Sequence, residues 1–120
     1  MIFSRFFSDS EFKRAVPPCS LNDMNQTTMI RMDRAREFAG IPFVVNSAFR
    51  TPEHEKLQGR DGKSSHTTGR ALDIRCNTPR NRFLIIDALL KAGFTRIGVA
   101  QTFIHADDSP SHDQKVVWFY

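Results

Sequence analysis

The chain has few cysteines, no long apolar run, no internal repeat and no low-complexity stretch. Each absence excludes something. Two cysteines, Cys19 and Cys76, are too few for a disulfide scaffold, so both are expected as free thiols. Cys76 has no partner cysteine at ligand spacing, which argues against a thiolate metal site. No segment has the apolar length needed to cross a bilayer, so no membrane partner is expected. The start, Met1-Ile2-Phe3-Ser4-Arg5-Phe6-Phe7, has no long apolar h-region and soon meets Asp9 and Glu11. It reads as no signal peptide. The expectation is synthesis in a cytoplasm, with another exit route if the protein acts outside.

The 120 residues suit one domain spanning 1–120, with 40% hydrophobic and 25% charged residues as in an ordinary globular protein. The formal net charge of +4 favours an anionic partner: nucleic acid, anionic lipid or an acidic wall polymer. The cations are scattered. Arg31, Arg34 and Arg36 share one helix, but no interleaved aromatics make a nucleic-acid platform, so no nucleic-acid partner is expected.

Residues 25–39 have apolar residues at helical spacing, Met29, Met32, Ala35 and Phe38/Ala39, before Gly40 and Pro42 stop the helix. Residues 43–49, rich in Val and Phe, read as a strand. Thr51-Pro52 starts a short helix that ends before Gly59. Residues 59–70 read as a loop and 71–75 as a strand. Thr78-Pro79 starts another helix, with Phe83, Ile86, Leu89 and Leu90 as its expected buried stripe and Gly93 as its close. Strands are expected at 96–99, 103–107 and 116–120. Regular βαβ alternation is missing, so the fold class is α+β with a mainly antiparallel sheet flanked by helices.

Strand alternation then selects the candidate chemistry. Leu72 and Ile74 face the core, which turns Asp73 to the other side. Ile104 and Ala106 face the core, which leaves Phe103, His105 and Asp107 on the opposite face. Asp73 and His105 can therefore look into one cleft from neighbouring strands. His66 stands just before the Asp73 strand, and Gly69 lets the backbone turn between them. Two imidazoles and a carboxylate, with a fourth position open to water, are what a catalytic zinc needs. Each histidine alone reads as a surface residue; the combination does not.

The stretch Ser64-x-His66-x-x-Gly69-x-Ala71-x-Asp73, followed by His105-x-Asp107, resembles the zinc D-Ala-D-Ala carboxypeptidase family. These are the LAS-type peptidases of the hedgehog/DD-peptidase fold. Asn46-Ser47-Ala48-Phe49-Arg50-Thr51-Pro52 is similar to that family's Ser-Gly-Tyr-Arg-x-Pro segment, and Phe94–Gly98 to the strand before its last histidine. Val117-Trp118-Phe119-Tyr120 resembles the closing strand of small, phage-type members. The resemblance implies Zn2+ as cofactor, with His66, Asp73 and His105 as its ligands.

It also implies a catalytic role for Arg50, whose guanidinium can hold a carboxylate or stabilise an oxyanion. From residues alone a turn-fixing salt bridge serves Arg50 equally well. Ser47 and Ser64 are candidates for orienting the site or for loop roles. Many relatives carry Glu or Asp three residues before the second histidine as general base. Here that position is Thr102, and neither it nor Gln101 takes a proton. Asp107 is either the base or a hydrogen-bonding partner that orients His105. His112 reads as a surface histidine or as a proton donor that steadies the tetrahedral intermediate. Glu53 and His54 read as surface residues, Glu53 being a further candidate base.

The implied function is a zinc peptidase acting on peptidoglycan stem peptides, as D-Ala-D-Ala carboxypeptidase or L-Ala-D-Glu endopeptidase. It would be a monomer, used in phage lysis or host penetration. The alternative is a zinc-containing module that binds wall peptide or protein without catalysis.

Overall fold

Asn25 opens the longest helix, α2 (Gln26–Ala39), by accepting a hydrogen bond from the Thr28 amide at 3.1 Å. Gly40 closes it in the left-handed region, φ 69°. Thr78 caps α4 (Pro79–Lys91) in the same way, through the Asn81 amide at 3.1 Å. The two helices pack on each other and on one face of the sheet. The computed structural model describes residues 1–120.

The sheet has five strands, β1 (Val45–Ser47), β2 (Ala71–Arg75), β3 (Arg96–Val99), β4 (Phe103–Asp107) and β5 (Val116–Phe119), in the order β1-β2-β4-β3-β5. All pairings are antiparallel except β3 with β5. The α+β expectation with a mainly antiparallel sheet therefore holds. Leu72, Ile74, Ile97, Ile104 and Ala106 send their side chains into the helices' core, beside Met29, Met32, Ala35, Ile85 and Leu89. The other sheet face is left free for polar chemistry.

Four expectations need correction. The first strand spans three residues, because the chain bulges between Val45 and Ser47 and its next groups bond elsewhere. The Ala48 carbonyl and the Arg50 amide both go to His66. The buried stripe of α4 is Ile85, Ala88 and Leu89, while Phe83 and Leu90 are more than half exposed. That helix has apolar residues on more than one side, so spacing alone did not choose the face. The stretch 59–70 contains a 3-10 turn, Ser65–Thr68, that carries His66. Tyr120 lies just past β5, although its amide still bonds the Val99 carbonyl at 3.1 Å.

The N-terminal part adds α1 (Asp9–Lys13), where the Ser8 amide donates to Glu11 at 2.7 Å. A short helix α3 (Pro52–Leu57) follows β1, as Thr51-Pro52 predicts. Phe7, Phe12, Ala15 and Met24 are buried in the core, so the N-terminal segment caps the core. Both cysteines are unpaired, and Cys76 is buried. No helix is long and apolar enough to cross a membrane.

Candidate active site

Asp73 and His105 are direct partners across β2 and β4. Cross-strand partners project to the same face, so this register alone brings the carboxylate and the imidazole together. The His105 Nδ1 stands 2.8 Å from Asp73 Oδ1. His66 reaches the same carboxylate oxygen from its 3-10 turn, with Nε2 at 3.3 Å. One donor atom from each of the three lies within 4.8 Å of the others. His66, Asp73 and His105 are 2%, 9% and 4% exposed. Two nitrogens and an oxygen this close together suit a single zinc ion by donor type and spacing.

The histidines are oriented from behind. His66 Nδ1–H donates to the Ala48 carbonyl at 2.6 Å, which leaves Nε2 to face Asp73. His105 Nε2–H donates to Asp107 at 2.6 Å, which leaves Nδ1 facing inward. Burial opposes charge at Asp73 and His105, and local bonds override it. Burial would raise the Asp73 carboxyl, but hydrogen bonds from His105 and His66 hold it far below the usual carboxylate range. Burial would lower the His105 imidazole, but its bonds to Asp107 and Asp73 push it above its ordinary value.

Asp107 has no exposed surface and all its acceptor positions are engaged. One oxygen accepts from His105 and from Ser65 Oγ at 3.1 Å. The other accepts from Arg96 Nε at 2.7 Å and the Ser109 amide at 3.1 Å. Burial would raise this carboxyl, yet the His105 bond leads the contacts that lower it.

The group opens into a cleft of about 290 Å3. Arg50, Arg60 and His112 line it, together with Phe103, Trp118 and Tyr120. Arg50 Nε donates to Glu55 at 3.1 Å and Arg50 Nη1 to Ser47 Oγ at 3.4 Å. Glu55 is wholly buried and also accepts from the Ser64 amide and hydroxyl. Ser47 and Ser64 thus both belong to the scaffold that aims Arg50. His112 Nδ1 shares a hydrogen bond with Ser109 Oγ at 2.8 Å. Thr102 is exposed in the β3–β4 turn and forms no part of the cleft lining. Glu53 is exposed and stands outside it too, and His54 borders a separate groove near Pro17 and Pro18.

Sequence reading assigned no site role to Glu55, Ser65, Arg96, Trp118 or Tyr120. Glu55 gave no local signal, being one of several charges on a short helix. Arg96 and Trp118 become visible once the strand order is known, because Arg96 pairs with Asp107 and Trp118 with Gly98.

The peptidase M15 family profile matches residues 8–107, most of the chain. This chain belongs to the peptidase M15 family. It is accordingly a zinc metallopeptidase, and the buried His-Asp-His group is where it can take the metal. No curated protein and no solved structure matches the chain. β5, with Trp118, lies beyond the residues that the M15 profile covers.

Gly69 is the hinge between His66 and β2. Its φ is +70°, and an added Cβ would overlap the Asp23 carbonyl and press on Met24 Cα. Gly69→Ala is therefore expected to cost about 2–4 kcal/mol from left-handed strain and overlap. Urea unfolding of the metal-free protein measures this. A change below about 1 kcal/mol would show that the turn relaxes freely.

Proposed function

We propose that this M15 peptidase hydrolyses peptidoglycan stem peptides, with His66 Nε2, Asp73 and His105 Nδ1 holding its zinc. The observation that carries the reading is the buried triangle of these donors opening onto a cleft lined by arginines. Zinc held there supplies Lewis acidity, polarising a carbonyl and easing proton loss from water near neutral pH.

The chain's own residues do the rest. Arg50, aimed by Glu55 and Ser47, binds a substrate carboxylate or the carbonyl oxygen as it gains charge. Asp107 keeps the His105 ring in register, since its acceptor positions are already taken. His112, seated on Ser109 at the cleft edge, moves the proton that the absent carboxylate at Thr102 does not. The cleft suits a small peptide bearing a carboxylate, as the D-Ala terminus and the D-Glu residue of a stem peptide both do. D-Ala-D-Ala carboxypeptidase and L-Ala-D-Glu endopeptidase are the two activities in view. The biological setting we infer is phage lysis or host penetration by a monomer, and co-purification with virions checks it.

The test is zinc content of the purified protein beside mass spectra of digested muropeptides. Loss of terminal D-Ala identifies a carboxypeptidase, and release of stem peptides after L-Ala identifies an endopeptidase. One observation favours a second reading, a zinc-containing binding module: no free carboxylate faces the cleft. Zinc with wall-fragment binding but no cleavage would establish that module instead.

The two candidate proton carriers separate by mutation. His112→Ala is expected to lower kcat by about 10^2- to 10^4-fold with zinc retained. Asp107→Asn is expected to weaken zinc affinity by about 10- to 100-fold. Unchanged zinc affinity in Asp107→Asn with lost turnover would make Asp107 the base.

A further inference from the structure

One row of residues runs across the polar face of the sheet. Asp73 on β2 pairs with His105 on β4, His105 with Gly98 on β3, and Gly98 with Trp118 on β5. The glycine stands out in that row. Gly98 is not among the positive-φ glycines, so its backbone does not require one. A strand glycine otherwise weakens a sheet, and it marks close approach of another group. Here the approaching group is an indole. A Cβ on Gly98 would sit 2.6 Å from Trp118 Nε1, 2.7 Å from Trp118 Cε2 and 2.8 Å from a Tyr120 ring carbon.

The space left by Gly98 lets Trp118 lean towards its neighbour in the row. The indole and His105 ring centroids are 5.4 Å apart at 50°. His66 meets His105 from another side, with centroids 5.1 Å apart. The Arg96 guanidinium lies 5.1 Å over the indole, and Arg96 is the residue that pairs with Asp107. Trp118 therefore touches the His105 ring directly, and touches its hydrogen-bonding partner's counter-ion as well. A metal-ligating imidazole must be held to about 0.5 Å, which needs packing as well as a hydrogen bond.

We propose that Trp118, seated on Gly98, is a positioning residue that fixes the His105 ring for metal binding. The inference rests on the zinc-site reading above. It assigns a role in the metal centre to β5, which the M15 profile does not reach.

The experiment compares wild type with Trp118→Ala, Trp118→Phe and Gly98→Ala. Zinc dissociation constants come from chelator competition, and ligand geometry from the visible spectrum of the Co2+-loaded protein. Trp118→Ala is expected to weaken zinc by about 10- to 100-fold, the range for residues that orient a metal ligand. Trp118→Phe keeps an aromatic face and recovers most of that affinity. Gly98→Ala retains the indole but displaces it, so it weakens zinc and alters the cobalt spectrum.

Trp118 is also the chain's sole tryptophan, so wild-type emission reports this one position. Emission that shifts with one equivalent of zinc is expected, and this readout needs no variant to fold. Trp118→Ala and Gly98→Ala with wild-type zinc affinity and cobalt spectrum would overturn the inference alone. Emission that ignores bound zinc would overturn it too. A wild type that takes up no zinc would remove the metal-site reading and this inference with it.

Discussion

His66→Ala is expected to abolish stoichiometric zinc binding and to cut peptide hydrolysis by about 10^3-fold or more. The size follows from the several kcal/mol of transition-state stabilisation that a catalytic metal supplies, at about 1.4 kcal/mol per tenfold. The substitution removes one of three donors and leaves Asp73 and His105 facing each other. Two donors do not make a closed zinc site. The fold should persist. The bond from the Arg50 amide runs to the His66 backbone carbonyl, which alanine keeps. Ala48 loses the donor to its carbonyl at a buried position, a cost of about 1–3 kcal/mol.

Thermal unfolding with and without metal separates these effects. Wild type saturated at about 1,000 times its dissociation constant gains about 4 kcal/mol from binding. His66→Ala should gain almost nothing, and its metal-free melting point should lie several degrees below that of metal-free wild type, as the lost Ala48 bond requires. Stoichiometric zinc in the variant, measured by elemental analysis after dialysis, would mean that other groups hold the metal.

Two of the three donors, Asp73 and His105, were legible in the sequence for a physical reason. Period-two alternation in 71–75 and 103–107 fixes which side chains leave the core, and β2 pairs with β4 in the register that alternation allows. The stop of α2 and the start of α4 were legible too, because Gly40 and Thr78 act on their own neighbours, whereas the Asn25 cap was read as part of the helix. What stayed hidden depends on distant partners. Phe83 and Leu90 have the right character for a core stripe, but α2 covers the other side of α4. Trp118 enters the site only because β5 pairs in parallel with β3, which brings it beside Gly98. The Ser8–Glu11 capping signal was present in the sequence, yet α1 has only five residues and gives no period to read.

Glu55 is the clearest case of a residue that only the fold reveals, and its removal should have a large effect on stability. Its carboxylate has no solvent exposure and meets Arg50 Nε, the Ser64 amide and the Ser64 hydroxyl. It joins α3 to Arg50 and to Ser64, the residue before the turn that carries His66. Breaking a buried pair by deleting one partner costs about 3–5 kcal/mol, since the other charge is left without its counter-ion. Glu55→Ala is expected near the lower end, because the Arg50 side chain is 12% exposed and can turn towards the cleft. That turn misplaces the guanidinium, so kcat/KM should fall in any variant that still folds.

Urea unfolding of metal-free protein gives the stability change without a contribution from zinc. A loss below about 1 kcal/mol would mean that the pair is dispensable. The double variant Arg50→Ala/Glu55→Ala removes both charges, leaving neither unpaired. It should recover part of the loss, with a coupling of about 1–3 kcal/mol. Strict additivity would instead show that Glu55 acts through Ser64 and the His66 turn, independently of Arg50.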